Sequence, residues 1–233
     1  DSVSDARFAF RAFRRAPALL GAAVLTIALG VAANTAIFSA VNAVILRPLP
    51  FAQPERLLML WEENPEKGWY QQTAAPANVL DWREQVPAFA DVAAWADFTQ
   101  HVALTGQGEP RRLETAIVTG NFFAVLGVRP QAGRPITDAE TWRTGDPIAV
   151  VSDRVWREEF GADPALVGRT VQMDGRPVQV VGVAPPGFGF PGQRTDVWRP
   201  TAWNPDNRAH ASFRRAHWLR PVARLRPGAT VAQ

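Results

Sequence analysis

Few side chains in this sequence are arranged to do chemistry. Its three histidines are His101, His210 and His217. The last two are separated by Ser-Phe-Arg-Arg-Ala-containing sequence with no carboxylate at ligand spacing, so no metal site is expected there. The neighbours Glu62-Glu63 and Glu158-Glu159 point in different directions on a strand or a helix and cannot share a proton; they read as solvated charges. Ser152 stands at a strand-to-helix junction, where a nucleophile could sit, but Val151 and Asp153 replace the glycines of a nucleophile elbow. It reads as a helix cap. A phosphate loop needs Gly-Lys-Ser/Thr, and Lys67, the only lysine, is followed by Gly68. Cysteine is absent, which removes thiolate metal sites and disulfides. The expectation is a chain without catalytic residue, metal or cofactor, and so not an enzyme.

What the chain does position is a lipid boundary. Residues 16–46, APALLGAAVLTIALGVAANTAIFSAVNAVIL, hold no charged residue and no histidine, and they exceed the ~20 apolar residues that a membrane helix requires. One helix over this stretch would reach roughly 45 Å at about 1.5 Å per residue. Arg7, Arg11, Arg14 and Arg15 precede it, and Arg47 alone follows closely. Excess basic charge stays on the cytoplasmic side, which predicts the N-terminus inside and residues 47–233 outside. Those arginines suit anionic headgroups. With Phe8, Phe10 and Phe13 they make residues 1–15 a cytoplasmic amphipathic segment at the membrane surface. Within the span Ala22, Thr26, Gly30 and Asn34 recur every fourth residue, a small-residue stripe that lets another helix approach, with Asn34 able to hydrogen-bond across it. No second run is long enough to span, so that partner helix is expected from another chain or from sequence beyond this one.

Residues 47–233 can bury a sizeable core. The formal charge is only +3, and no basic stripe lies outside the N-terminus, so nucleic acid is not an expected partner. The pattern predicts a buried strand over Leu57–Trp61, a loop at Lys67–Tyr70, a helix over Pro76–Glu84, and strands over Val92–Leu104 and Arg112–Val118. A short helix over Asn121–Leu126 stops at Gly127. A buried strand over Ile148–Val151 leads through Ser152 into a helix ending at Phe160, and Asp163-Pro164 opens a further turn. Thr170–Met173 and Pro177–Val183 flank Asp174-Gly175, the signature of a hairpin with a type I′ turn. Val197–Pro200 and His217–Leu225 complete the strands. Trp156, Phe160, Phe188, Phe190 and Trp198 are the large anchors of a core. Short strands interleaved with short helices predict an α+β class: one N-terminal transmembrane helix followed by a mixed α+β extracytoplasmic domain.

The run 151–200, VSDRVWREEFGADPALVGRTVQMDGRPVQVVGVAPPGFGFPGQRTDVWRP, resembles the periplasmic core domain of MacB-like ABC transporter permeases. Residues 118–137, VTGNFFAVLGVRPQAGRPIT, fit the same domain. The opening RFAFRAFRRAPALLGAAVLTIALGVAANTAIFSAVNAVILRPLPF is similar to the first membrane helix of the duplicated orphan permeases in that group, and VARLRPGAT, 222–230, to the segment that precedes the return to the membrane.

The resemblance implies an FtsX-like permease half in the bacterial inner membrane, in which one helix precedes a large outer domain and three more follow it. It implies a separate or fused cytoplasmic ATPase, other permease helices or a second permease half, the lipid bilayer, and a periplasmic partner protein. The later helices are missing here, which favours a truncated permease serving export or mechanotransmission. The competing expectation is a single-span anchored binding module without transport.

Overall fold

The computed structural model describes residues 17–41, 51–106, 108–142, 147–192 and 194–230, and the chain divides into two units, Asp1–Leu49 and Pro50–Gln233. The first contains the helix α1 (Pro17–Val41, 25 residues), with no acidic residue in its first turn and no basic one in its last. Without charged side chains it has no polar face, and Val24, Leu25, Ile27, Leu29, Val31 and Phe38 are all exposed. The Thr26 hydroxyl donates to the Ala22 carbonyl at 2.8 Å, satisfying itself on its own helix. Taken over the described residues, no helix is long and apolar enough to cross a membrane. Several α1 side chains and both flanks lie outside them, so the span predicted for 16–46 is carried by its sequence and not by the fold. The amphipathic segment 1–15, with Arg7, Arg11, Arg14 and Arg15, also lies outside the described residues.

The second unit is built on one large sheet. Its strands in chain order are β1 (Leu57–Met59), β4 (Phe89–Ala96), β5 (Gln100–Thr105), β6 (Arg111–Val118), β7 (Ala132–Gly133), β8 (Ile148–Val151), β9 (Thr170–Met173), β10 (Arg176–Val183), β11 (Val197–Pro200) and β12 (Leu219–Leu225), while β2 (Glu62–Asn64) and β3 (Trp69–Gln72) form a separate hairpin. The helices are α2 (Pro76–Gln85), α3 (Phe122–Leu126), α4 (Asp153–Phe160) and α5 (Ala211–Arg215). The sheet runs β1-β12-β4-β6-β11-β8-β10-β9-β5, and β5 pairs again with β6. Six strands therefore close into a ring that has no free edge, and β4, β12 and β1 extend from it. Most pairings are antiparallel, but β6–β11 and β8–β10 are parallel.

Alternation explains the core. On the ring strands Val102, Leu104, Leu113, Val171, Met173, Val178 and Val180 share one cluster, joined by Val155, Phe160 and Leu166. The intervening residues Ala116, Val118, Ile148, Val150 and Trp198 face a second cluster with Phe122, Phe123 and Phe188. Strand β10 changes sides part-way: its register against β8 shifts between Val180 and Gly182. One inserted residue reverses which face each later side chain meets. Val181 accordingly joins the second cluster and Val183 the first. A third cluster fills the opposite side of β4 and β12, where Val92, Ala94, Leu219 and Ala223 meet Val79 of α2, Trp203 and Phe213 of α5.

Three expectations are corrected. Leu57–Trp61 is not a buried strand: β1 is a three-residue edge strand, and Met59 is 41% exposed. Trp69 and Tyr70 belong to β3 rather than a loop; pairing to β2 decides this, and both side chains remain exposed. Val92–Leu104 is two strands. The chain turns over Asp97–Thr99 so that β4 and β5 can both pair with β6.

Candidate functional surfaces

The residues that could have formed an active site are occupied structurally. The Ser152 hydroxyl accepts the Val155 N–H at 3.1 Å, capping α4, and its own N–H donates to the Asp196 carbonyl at 2.8 Å. Among the described residues no histidine is hydrogen-bonded to it. Ser152→Ala is expected to lower stability by about 1 kcal/mol, measured by urea unfolding, and to leave any partner binding unchanged. Next to it the buried Asp196 carboxylate accepts the Glu114 N–H and pairs with Arg154, which also pairs with Glu158 at 2.6 Å. Burial works against the Arg154 charge, but these two carboxylates hold its pKa above the ordinary value. The cluster ties α4 to the start of β11.

Neither carboxylate pair is simply solvated, as the sequence suggested. Glu159 lies 3.5 Å from Arg111. Glu62 accepts the Ala75 N–H at 3.0 Å and the Asn78 side-chain N–H at 2.8 Å, and faces His217 at 2.9 Å. Both contacts are long-range and leave no trace in local spacing. Among the described residues no group of three or more His, Asp or Glu could hold a metal ion. A cleft of about 250 Å³ lies between the β4–β5 turn and Pro191, Gly192 and Thr195, with Glu114, Thr115 and the Asp97–Arg220 pair in its walls. It contains no serine, histidine or lysine among its described lining residues.

The remaining predicted positions are placed as follows. Ala22, Thr26, Gly30 and Asn34 all lie on α1, and a Cβ built on Gly30 would meet nothing within 4 Å. Asp174 and Gly175 form the turn between β9 and β10, with φ of 51° and 70°, the positive values that a type I′ turn requires. Sequence reasoning missed what this turn does next. The Asp174 carboxylate accepts the Ala103 N–H at 2.8 Å while its own N–H donates to the Ala103 carbonyl at 2.9 Å. The turn thereby fastens β9 to β5, where the ring closes.

Two ends of the domain differ in character. At one, β1 pairs antiparallel with β12, Leu57 opposite Arg224, so the segments before β1 and after β12 lie side by side. Arg56 donates from Nε to the Leu225 carbonyl at 2.9 Å, and Arg226 donates from Nε to the Pro87 carbonyl at 2.9 Å. Burial and the neighbouring Arg56 charge push the Arg224 pKa down, with Glu55 partly offsetting them. At the other end of β12 a group of aromatics is exposed. Phe98 packs on Trp218 with ring centres 5.9 Å apart, and Trp69 meets the His217 ring at 6.4 Å. Phe98, Trp69 and Tyr70 are 48%, 44% and 63% exposed. Aromatic groups of this kind mark contact surfaces more often than scattered apolar residues do.

No curated protein matches the sequence. Among solved structures, a domain of a protein assigned as a permease in Porphyromonas gingivalis is similar at 17% identity and a TM-score of 0.57, covering 77% of this chain and 79% of that one. The extracellular domain of the noncanonic ABC-type transporter YknZ from Gram-positive bacteria aligns at 18% identity and a TM-score of 0.48, covering 76% and 84%. The periplasmic region of MacB from Actinobacillus actinomycetemcomitans aligns at 14% identity and 0.48, covering 76% of each chain. The sequence model described as the MacB-like periplasmic core domain matches residues 20–233, nearly the whole chain. The chain belongs to the MacB-like periplasmic core domain family.

Proposed function

We propose that this chain is a membrane component of an ABC-type permease, with no catalytic site of its own, whose outer domain engages substrate or partner proteins while a separate cytoplasmic ATPase hydrolyses ATP. Family membership across 20–233 supports this reading. The structural observation that carries it is the antiparallel pairing of β1 with β12, because a domain inserted between membrane segments must send both of its ends back to the same side. In this reading 1–15 is cytoplasmic and amphipathic, 16–46 crosses the inner membrane, and 47–233 is the extracytoplasmic core domain. Arg7, Arg11, Arg14 and Arg15 rest on headgroups. Ala22, Thr26, Gly30 and Asn34 face other permease helices or a second permease half. A periplasmic partner protein would meet the exposed aromatics.

Lys67 supplies a topological test, because it is the only lysine and sits in the exposed turn between β2 and β3. A lysine-specific protease added to spheroplasts should cut the chain there, while an N-terminal tag stays protected until lysis. Cleavage only after lysis would refute the proposed orientation. Tagged chain recovered from cells should also carry an ABC ATPase. If it carries a periplasmic protein and no ATPase, the anchored binding module replaces the permease.

A further inference from the structure

The cleft beside the β4–β5 turn holds one charge that nothing answers. Glu114, on β6, lines it half-buried, and among the described residues its carboxylate accepts no hydrogen bond and joins no ion pair. The other charges in the walls cancel, because Asp97 is paired with Arg220, whose guanidinium also lies 5.3 Å from the centre of the Trp61 ring. The nearest arginines along β6 are engaged elsewhere, Arg112 with His101 and Arg111 with Glu159. Arg194 is exposed and is not among the described lining residues. The carboxylate is also held in place. Its backbone N–H donates to the buried Asp196 carboxylate at 3.0 Å, and its carbonyl accepts the Asp196 N–H at 2.9 Å. Gly192 leaves room for it, since a Cβ there would lie 2.5 Å from the Glu114 Oε1 and 3.0 Å from the Thr195 Oγ1. That hydroxyl oxygen accepts the Gly192 N–H at 3.2 Å and keeps a second lone pair.

We propose that this cleft binds a small organic cation, its primary ammonium group seated between Glu114 and Thr195 and its apolar body against Trp95 and Phe98. An ammonium brings three donors and no acceptor, which matches an unpartnered carboxylate beside a free lone pair, and hydrogen bonds between ionised groups are the strong ones. Trp95, Phe98 and Pro191 in the walls take up apolar surface, and aromatic rings favour a nearby cation over an anion. At about 250 Å³ the cleft suits a ligand smaller than a typical drug. A metal ion is a poor fit, since it requires more oxygen ligands than converge here, and among the described residues no three acidic or histidine groups do so. The inference goes beyond the permease reading and does not rest on it, because a chain without an ATPase would bind the cation equally well.

The test uses the whole 233-residue chain in micelles of an uncharged detergent. Three probes of one shape and different charge are titrated at neutral pH: phenethylammonium, 2-phenylethanol and phenylacetate. Binding is followed through the backbone amide signals of Gly192 and Thr195, which partition of a probe into the micelle does not move. Phenethylammonium should shift both signals to saturation, and the neutral and anionic probes should not. Glu114→Gln should weaken the ammonium about tenfold, the loss of a charge-assisted hydrogen bond. That side chain makes no contact on which the fold depends. Gly192→Ala should weaken binding as well with every charge retained, because its methyl displaces the carboxylate from its seat. An ammonium that leaves the two signals unmoved would overturn the proposal. So would a neutral or anionic probe that moves them as strongly, or an affinity that survives Glu114→Gln unchanged. None of these results would bear on recovery of an ATPase with the chain, which tests the permease reading separately.

Discussion

Trp198→Ala is expected to lower the unfolding free energy by about 3–5 kcal/mol, the range for deleting a fully buried large aromatic. Trp198 lies on β11 and is wholly buried. Its ring stacks on Phe188 at 5.2 Å and meets Phe123 at 5.8 Å, so truncation opens a cavity bounded by rigid rings that cannot collapse into it. Its indole N–H also donates to the Phe190 carbonyl at 2.8 Å, a bond that anchors the loop before β11. Against a domain stability of about 5–15 kcal/mol, such a loss brings the domain close to unfolding at physiological temperature. Denaturant unfolding of Trp198→Ala and Trp198→Phe separates the two contributions. The phenylalanine variant keeps most of the packing and loses the hydrogen bond, which predicts a cost of about 1–2 kcal/mol. Equal costs for the two variants would show that the ring packing contributes little.

The second large effect belongs to Gly182. A Cβ at this position would lie 2.2 Å from the Arg134 carbonyl oxygen and 3.3 Å from that of Ala132. These are backbone atoms, and the loop cannot swing aside because the Arg134 N–H donates to the Val181 carbonyl at 2.9 Å and Gly182 pairs with Gly133. Gly182→Ala is therefore expected to cost about 3 kcal/mol, at the upper end of overpacking penalties. Gly175→Ala is the matched control. A Cβ there meets nothing within 4 Å, and only the φ of 70° opposes it, which predicts about 1 kcal/mol. If thermal unfolding ranks Gly175→Ala as the more damaging, β7 does not pair with β10 in this register.

The difference between these glycines also shows how far the sequence could be read. Gly175 follows Asp174 between two alternating runs, and that local pattern identifies a hairpin turn. Gly182 sits within a strand, and nothing near it in sequence reveals that β7 pairs there. The same division holds elsewhere. Ser152 before α4 and Gly127 after α3 are cap residues whose neighbours suffice to identify them. The separation of β4 from β5, by contrast, depends on β6 having room for both along one side. Trp69 and Tyr70 form a strand only because β2 lies beside them. The contact between Glu62 and His217 joins residues far apart in the chain. Composition and charge led only to the expectation of an outer domain without catalytic groups, whereas the closing of the ring and the exposed aromatics arise from tertiary pairing.

The pairing of β1 with β12 determines how this domain would respond to tension. Pull applied through the segment before β1 and the segment after β12 acts at the same end of two antiparallel strands, so their hydrogen bonds are loaded one after another, as in a zip. With three residues in β1 against seven in β12, and one further bond from the Leu60 N–H to the Pro221 carbonyl at 3.1 Å, peeling would stop only once Leu60 is released, because β12 remains held along its length by β4. The core would keep its shape while the attachment gained slack, so that the short outer strand would act as a sacrificial link between the ring and whatever pulls on it.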